Sequence, residues 1–273
     1  MRYVIFVIII LFSVVNFGYI NRTFADYNPA TGEDDLLLVS EEKEIQLGML
    51  LAKSVEEKFG LADNIGMQKR VTDVGQKIAD VCDRSELTYS FVVLEGKELD
   101  EDERYNAFAL PGGYVYIFKE MVNFTSSDDE LASVLAHEIG HIVARHSMKR
   151  LQESIGMAGL SLIGAIAQSD GATQRNTSLA ITQLMMSYSR QAEFEADKLS
   201  IKYLEKAGFD SGAAVSFVDK MLEKNLKGAI RQYRYFRTHP YASERKAMLN
   251  KEIKGKFAFD DYINAPVDSR DSY

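Results

Sequence analysis

The sequence predicts a mostly helical α+β domain with one small sheet, antiparallel or mixed. Three observations predict it. Apolar residues recur at helical spacing through most of the chain. Only two short stretches, Thr88–Leu94 and Ala107–Phe118, carry strand chemistry. Those stretches lie close together and are followed by a long run of helices, so the sheet packs beside the helix that comes next.

The chain begins with Met1-Arg2 and then an apolar run from Tyr3 to Val15. A short positive start and a run of this length read as a secretory signal. Thr23 and Ala25 supply small residues for cleavage before Asp26. The alternative is an uncleaved anchor, because extension to Ile20 brings the run close to a membrane span. No cysteine lies near the cleavage region, which argues against a lipid anchor. Residues 26–273 are then a single domain, of a size that supports one core.

Residues 26–39 start with turn chemistry and read as a lead-in segment. Ser40 caps a helix to about Phe59, with Glu41, Glu42 and Glu44 in its first turn. A second helix spans about Ile65 to Arg84, with Val71, Val74, Ile78 and Val81 on one face. The lone Cys82 packs in that apolar face. Thr88–Leu94 is a strand, and Glu95–Glu103 a solvated acidic loop. Ala107–Phe118 is strand, Pro-Gly-Gly turn, strand, and the second of these alternates as a half-buried strand does.

Ser127 or Asp128 caps a helix through about Arg150. The glycine-rich apolar stretch 155–168 is too short to span a bilayer. It is a buried helix, a flap over the site, or a membrane-surface contact. A long helix runs from about Leu179 to Ala207 and stops at Gly208. Shorter helices fill the rest, and the tail after Phe259 is loosely held. Net charge is −8 and the pI about 5.2, which argues against a nucleic-acid partner.

The chemistry gathers at His137-Glu-Ile-Gly-His141. The chain has four histidines, and two of them flank this glutamate. On a helix, residues i and i+4 lie about 40° apart, so both imidazoles reach one metal ion. Glu138 projects beside them, free to work on a metal-activated water without being a ligand. Zinc chemistry of this kind needs three protein ligands and one open position. Glu193, 52 residues beyond His141 on a second predicted helix, is the candidate third ligand. Asp197 shares its face and can accept the second ring N–H of a ligand histidine. Glu195 points roughly 200° away from Glu193. A solvated acidic face is the competing reading of the stretch.

The segments His137–Ser147, Glu193-Phe-Glu-Ala-Asp197, Asn106-Ala-Phe-Ala-Leu-Pro-Gly-Gly113 and Thr238-His-Pro240 together resemble the HtpX-type and CAAX-prenyl-protease-type zinc endopeptidases. Asn28-Pro-Ala-Thr-Gly32 and the helix opening at Ser40 resemble the secreted bacterial branch of that family, which acts in envelope quality control. The resemblance implies a zincin-like metallopeptidase domain over residues 26–273. It implies one Zn²⁺ held by His137, His141 and Glu193. It also implies an exported enzyme, in the periplasm or on the periplasmic side of a membrane, acting on unfolded or misassembled envelope proteins. By the same resemblance Ala107–Phe118 includes an edge strand beside the cleft. A peptide would add to it near Asn106, Ala107 and Phe108, with Gly112 and Gly113 allowing close backbone approach. His239 would lie near the zinc, as an oxyanion donor, as a ligand holding the enzyme latent, or in a structural role. His146, about 140° from His141 on a continuous helix, reads as structural. Arg245, Tyr188 and Arg190 are further candidates. Larger relatives add tetratricopeptide repeats, and HtpX proteins several membrane spans; neither is implied here. The competing function is a zinc-stabilised, chaperone-like binding module with little proteolysis. A metal-dependent hydrolase of some other substrate is a third. Glu138 inside the motif favours the enzyme, because a closed structural site needs no such carboxylate.

Overall fold

The computed structural model describes residues 25–37, 39–153, 180–182, 184–227 and 234–255. Residues 1–24, where a signal segment is expected, the stretch 155–168 and the tail after Phe259 lie outside the described residues. No helix of the described residues is long and apolar enough to cross a membrane.

Residues 26–39 are more than a lead-in. Strand β1 (Ala25–Asn28) pairs antiparallel with β2 (Glu33–Leu36). The turn between them is closed by Gly32 N–H to Asn28 C=O at 2.8 Å and by Ala30 N–H to Asn28 Oδ1 at 3.0 Å. Helix α1 (Glu41–Phe59) follows, with Leu47, Leu51, Val55 and Phe59 on its buried face. Gly60, at φ 71°, ends it. Helix α2 (Ile65–Ala79) is capped by Asn64, whose side chain accepts from Met67 N–H, and it stops earlier than its apolar period suggested.

Strands β3 (Ser90–Leu94), β4 (Ala107–Leu110) and β5 (Tyr114–Phe118) form one mixed sheet in the order β3-β5-β4. β5 runs parallel to β3 and antiparallel to β4. β5 is not half-buried as its alternation suggested. Tyr116 and Phe118 pack with Phe108 and Leu110 against α1, while Val115 and Ile117 face α2 and the helix after the sheet. Helices cover both faces, so the aromatic positions are core positions.

Helix α3 (Lys119–Phe124) leads to α4 (Asp128–Val143). The Ser127 hydroxyl accepts from Glu130 N–H, and three acidic residues fill the first turn of α4. From Glu130 to Val143 every residue of α4 is buried. The predicted continuation to Arg150 breaks at Arg145, whose φ is 52°. The Arg145 guanidinium is held there by Glu41 and Glu44 of α1, at 3.4 and 3.3 Å. A new helical turn starts at His146.

The predicted long helix is interrupted: residues 180–182 and 184 are helical, and the helix breaks before Arg190. α5 (Arg190–Ala207) is capped by Ser189, and the preceding residues are pinned by Tyr188 N–H to Thr238 C=O at 3.1 Å. Gly208, at φ 80°, ends α5 as expected. Helices α6 (Gly212–Lys227), α7 (Arg234–Thr238) and α8 (Ala242–Lys254) complete the described chain.

α4 crosses α5 at Gly140. A Cβ there would stand 2.8 Å from the Ala196 carbonyl oxygen, a backbone atom that cannot move alone. Gly140→Ala therefore destabilises the protein by about 1–3 kcal/mol despite its better helix propensity. Gly66→Ala, whose Cβ meets nothing nearer than Asn64 Oδ1 at 3.6 Å, is neutral or slightly stabilising. Thermal melts of the two variants check both outcomes.

Candidate metal centre

His137 and His141 stand one turn apart on α4, and Glu193 faces them from α5. The two Nε2 atoms lie 3.1 Å apart. Glu193 Oε2 is 3.3 Å from His137 Nε2, and Oε1 is 3.6 Å from His141 Nε2. His239, just after α7, closes the group. Its Nδ1 is 3.2 Å from His137 Nε2 and 3.2 Å from Glu193 Oε1. One donor atom from each of the four residues falls within 4.8 Å of all the others. All four residues are buried. Two imidazoles and a carboxylate are a zinc-type donor set, and three such ligands are enough for a catalytic ion.

Glu138 stands beside this group. Both its carboxylate oxygens are buried without a hydrogen bond, and His239 Nε2 lies 3.4 Å from Oε1. Burial raises its pKa, against the pull of His239 and His137. The residue is therefore a stronger base than an exposed glutamate. Glu193 goes the other way: burial opposes its charge, but the neighbouring His239 and the Arg245 guanidinium outweigh that and hold it well below the carboxylate range. Its Oε2 also lacks a hydrogen bond. Burial drives the His141 imidazole well toward its neutral form. The neutral His141 imidazole and the ionised Glu193 fit a bound cation, while His137, raised to about 9 where Asp197 and Glu193 outweigh burial and Arg245, gives up a proton to bind one.

The surrounding shell is built from several elements. His137 Nδ1 meets Asp197 Oδ1 at 2.9 Å. Asp197 in turn takes a two-pronged contact from Arg245, at 2.9 and 2.7 Å. Arg245 Nη1 also reaches Glu193 Oε2 at 3.1 Å. A fully buried arginine thus joins two carboxylates that flank the same histidine. On the other side, His141 Nδ1 lies 2.8 Å from His146 Nδ1, and His146 Nε2 lies 3.1 Å from Glu195 Oε2. The break at Arg145 turns His146 back toward His141; on a continuous helix it would point away. The Tyr188 ring stacks on His141 with centroids 3.9 Å apart, and Arg150 lies 3.5 Å over the other side of the tyrosine. Arg190 is exposed and pairs with Glu244.

The β4 residues divide. β4 is a sheet edge. Asn106 C=O accepts from Phe118 N–H, so by antiparallel alternation Ala107 and Ala109 turn their main-chain groups outward. The Ser147 hydroxyl meets Ala109 C=O at 3.4 Å. The Asn106 side chain accepts from Thr238 and so steadies the residue before His239. The Phe108 ring packs in the core against Tyr116 and Phe59. Gly112 and Gly113 have φ of 76° and 101°, and the close approaches they permit are to Ile45 and Thr88 of this chain. Sequence reasoning missed the His146–Glu195 contact and the reach of β1 to it. The turn chemistry of Asn28 was the only signal.

A family model described as Peptidase family M48 matches residues 67–253. The chain is similar to the beta-barrel assembly-enhancing protease of Escherichia coli (strain K12), 25% identical over 249 residues, covering 87% of this chain and 50% of the relative. It is similar to the mitochondrial metalloendopeptidase OMA1 of Saccharomyces cerevisiae, 33% identical over 150 residues, covering 54% of this chain and 43% of the relative. The corresponding figures for OMA1 of Schizosaccharomyces pombe are 31% over 177 residues, 64% and 50%. The chain spans about half the length of the curated relatives it matches.

Arg245→Met leaves Asp197 and Glu193 buried without their cation. Breaking a buried pair in this way costs about 3–5 kcal/mol. Denaturant unfolding in the presence of a chelator measures the loss.

Proposed function

The chain belongs to peptidase family M48, and on that premise we propose that it is a zinc-dependent endopeptidase acting on unfolded or misassembled proteins of the cell envelope. The observation that carries the reading is the convergence of His137, His141 and Glu193 beside a buried, unbonded Glu138. His137, His141 and Glu193 hold the ion. Zinc supplies a Lewis acid that acidifies water and polarises a carbonyl. Glu138 takes the proton of the attacking water and passes it to the leaving amine, and its raised pKa suits both steps. Asp197 and His146 fix the rings of His137 and His141 from behind.

The substrate lies extended along the edge of β4, bonded to the main chain of Ala107 and the Ala109 N–H, the Ala109 carbonyl already accepting from Ser147. Asn106, Phe108, Gly112 and Gly113 shape that edge. Location in the periplasm, or at its membrane face, is supported by the signal-like start of the sequence and by the name of the Escherichia coli relative, a beta-barrel assembly-enhancing protease. Residues 155–168 are the segment suited to touch a membrane surface.

A second reading has one observation behind it. His239 is fully buried and brings a fourth donor to the group, as in a closed zinc site. In that state the protein is latent and behaves as a binding module.

Degradation of casein by the purified protein tests the first reading. Wild type cleaves; Glu138→Gln is slower by at least about 10²-fold, and chelation stops cleavage until zinc is returned. Equal rates for wild type and Glu138→Gln would sink it. His239→Ala separates the two roles of the fourth donor. With His239 as the closing ligand the initial rate rises, whereas a fall of about 10²-fold or more assigns the imidazole to the oxyanion instead.

A further inference from the structure

The hairpin at the start of the described chain reaches the metal centre through one side chain. Asn28 is 2% exposed. Its amide divides its work: Oδ1 accepts from Ala30 N–H and closes the turn, while Nδ2 donates to Glu195 Oε2 at 2.9 Å. Glu195 takes two further donors, His146 Nε2 at 3.1 Å and Gln191 Nε2 at 2.8 Å. Three donors converge on its two oxygens, so it serves as an acceptor throughout.

That fixes the direction of every bond inward. His146 Nε2 faces a carboxylate and so carries its proton there. Its Nδ1 is then a lone pair, 2.8 Å from His141 Nδ1. His141 must donate from Nδ1, which leaves the lone pair of His141 on Nε2, the atom that faces His137 and Glu193. A ligand histidine is normally oriented by one partner on its second nitrogen. Here that partner is another histidine, oriented by a glutamate, which is held by the hairpin.

We propose that Asn28 is a positioning residue for the metal centre, acting through Glu195 and His146 to hold His141 in the tautomer and orientation that bind zinc. The proposal rests on the zinc reading above. Hairpin attachment alone does not account for the Asn28 amide. Lys198 Nζ already ties the turn to α5, through Ala30 C=O at 2.7 Å. The donor Nδ2 adds nothing to the turn geometry, which uses only Oδ1.

The test is zinc affinity of the full chain, measured by competition with a fluorescent chelator, alongside the melting temperature of the metal-free protein. Asn28→Ala weakens zinc about 10-fold, the lower end for groups behind a ligand. Asn28→Asp keeps the turn acceptor and loses the donor, and it weakens zinc likewise, although an added negative charge by itself would tighten a cation. Lys198→Ala loosens the hairpin and leaves the affinity within about two-fold. In a His146→Ala background, Asn28→Ala has no further effect, because the path is already cut. Wild-type affinity in Asn28→Asp would assign the amide to the turn alone and overturn the proposal. An undiminished Asn28→Ala effect in the His146→Ala background, or an equal effect of Lys198→Ala, would do the same. If the hairpin variants do not fold, Gln191→Ala removes the remaining donor to Glu195 from α5 itself, and its affinity falls several-fold or the proposal fails. A wild-type chain that binds no zinc removes the zinc reading and this one together. A wild type that binds while every relay variant matches it removes only this one.

Discussion

Helices α4 and α5 meet where Gly140 lies on Ala196, and no side chain separates the two backbones. The chemistry is arranged around that contact. His137 and His141 flank Gly140 on α4, and Glu193 and Asp197 flank Ala196 on α5. Side chains as short as glutamate and histidine can share one ion only when their helices are this near. The remaining elements keep the crossing in place. The sheet supports α4 from one side, α8 holds α5 from the other, and α1 grips the break after α4 through Glu41 and Glu44.

The crossing concentrates charge in a dry place. Glu138, Glu193 and Asp197 are all buried, and Arg245 is the permanent cation among them. Removing ions from water costs several kcal/mol each, and attraction repays this only with good geometry. Burial and Arg245 oppose a charge on His137, but Asp197 and Glu193 outweigh them and raise its pKa to about 9, so in the metal-free fold that imidazole shares with Arg245 the work of balancing the carboxylates. Apolar residues would pack such a core at lower cost, and the arrangement is therefore read more easily as function than as stability.

Much of this was legible in the sequence, for a physical reason. Helical spacing brings i and i+4 together regardless of the rest of the fold, so the His137–His141 pair and the Glu193–Asp197 face could be read directly. Strand, turn and cap chemistry is equally local, and the hairpin of β4 and β5, the Ser127 cap and the Gly208 stop follow from it. What escaped depends on distant partners. Arg145 takes a left-handed conformation because α1 supplies Glu41 and Glu44, and nothing near Arg145 announces that. His146 therefore looked remote from His141 when it is its neighbour. Tyr188 N–H is taken by Thr238, and the helix that composition suggests from Leu179 onward is broken there before α5 begins. β5 alternates like a half-exposed strand because aromatic and aliphatic positions differ in size, while helices cover both of its faces.

The contacts of the centre are long in sequence. Asn28 and Glu195 are 167 positions apart, His137 and His239 102, and Arg245 and His137 108. Closing such loops is entropically costly until the intervening elements have packed. Translation delivers the chain from the amino end, so α4 emerges long before α5, and α5 before Arg245. The histidine pair exists early, yet Glu193 arrives only with α5, and His239 and Arg245 later still, around α7 and α8. A nascent or partly folded chain consequently has no complete cluster, and His137, His141, Glu193 and His239 come within reach of one another only once the whole domain has formed.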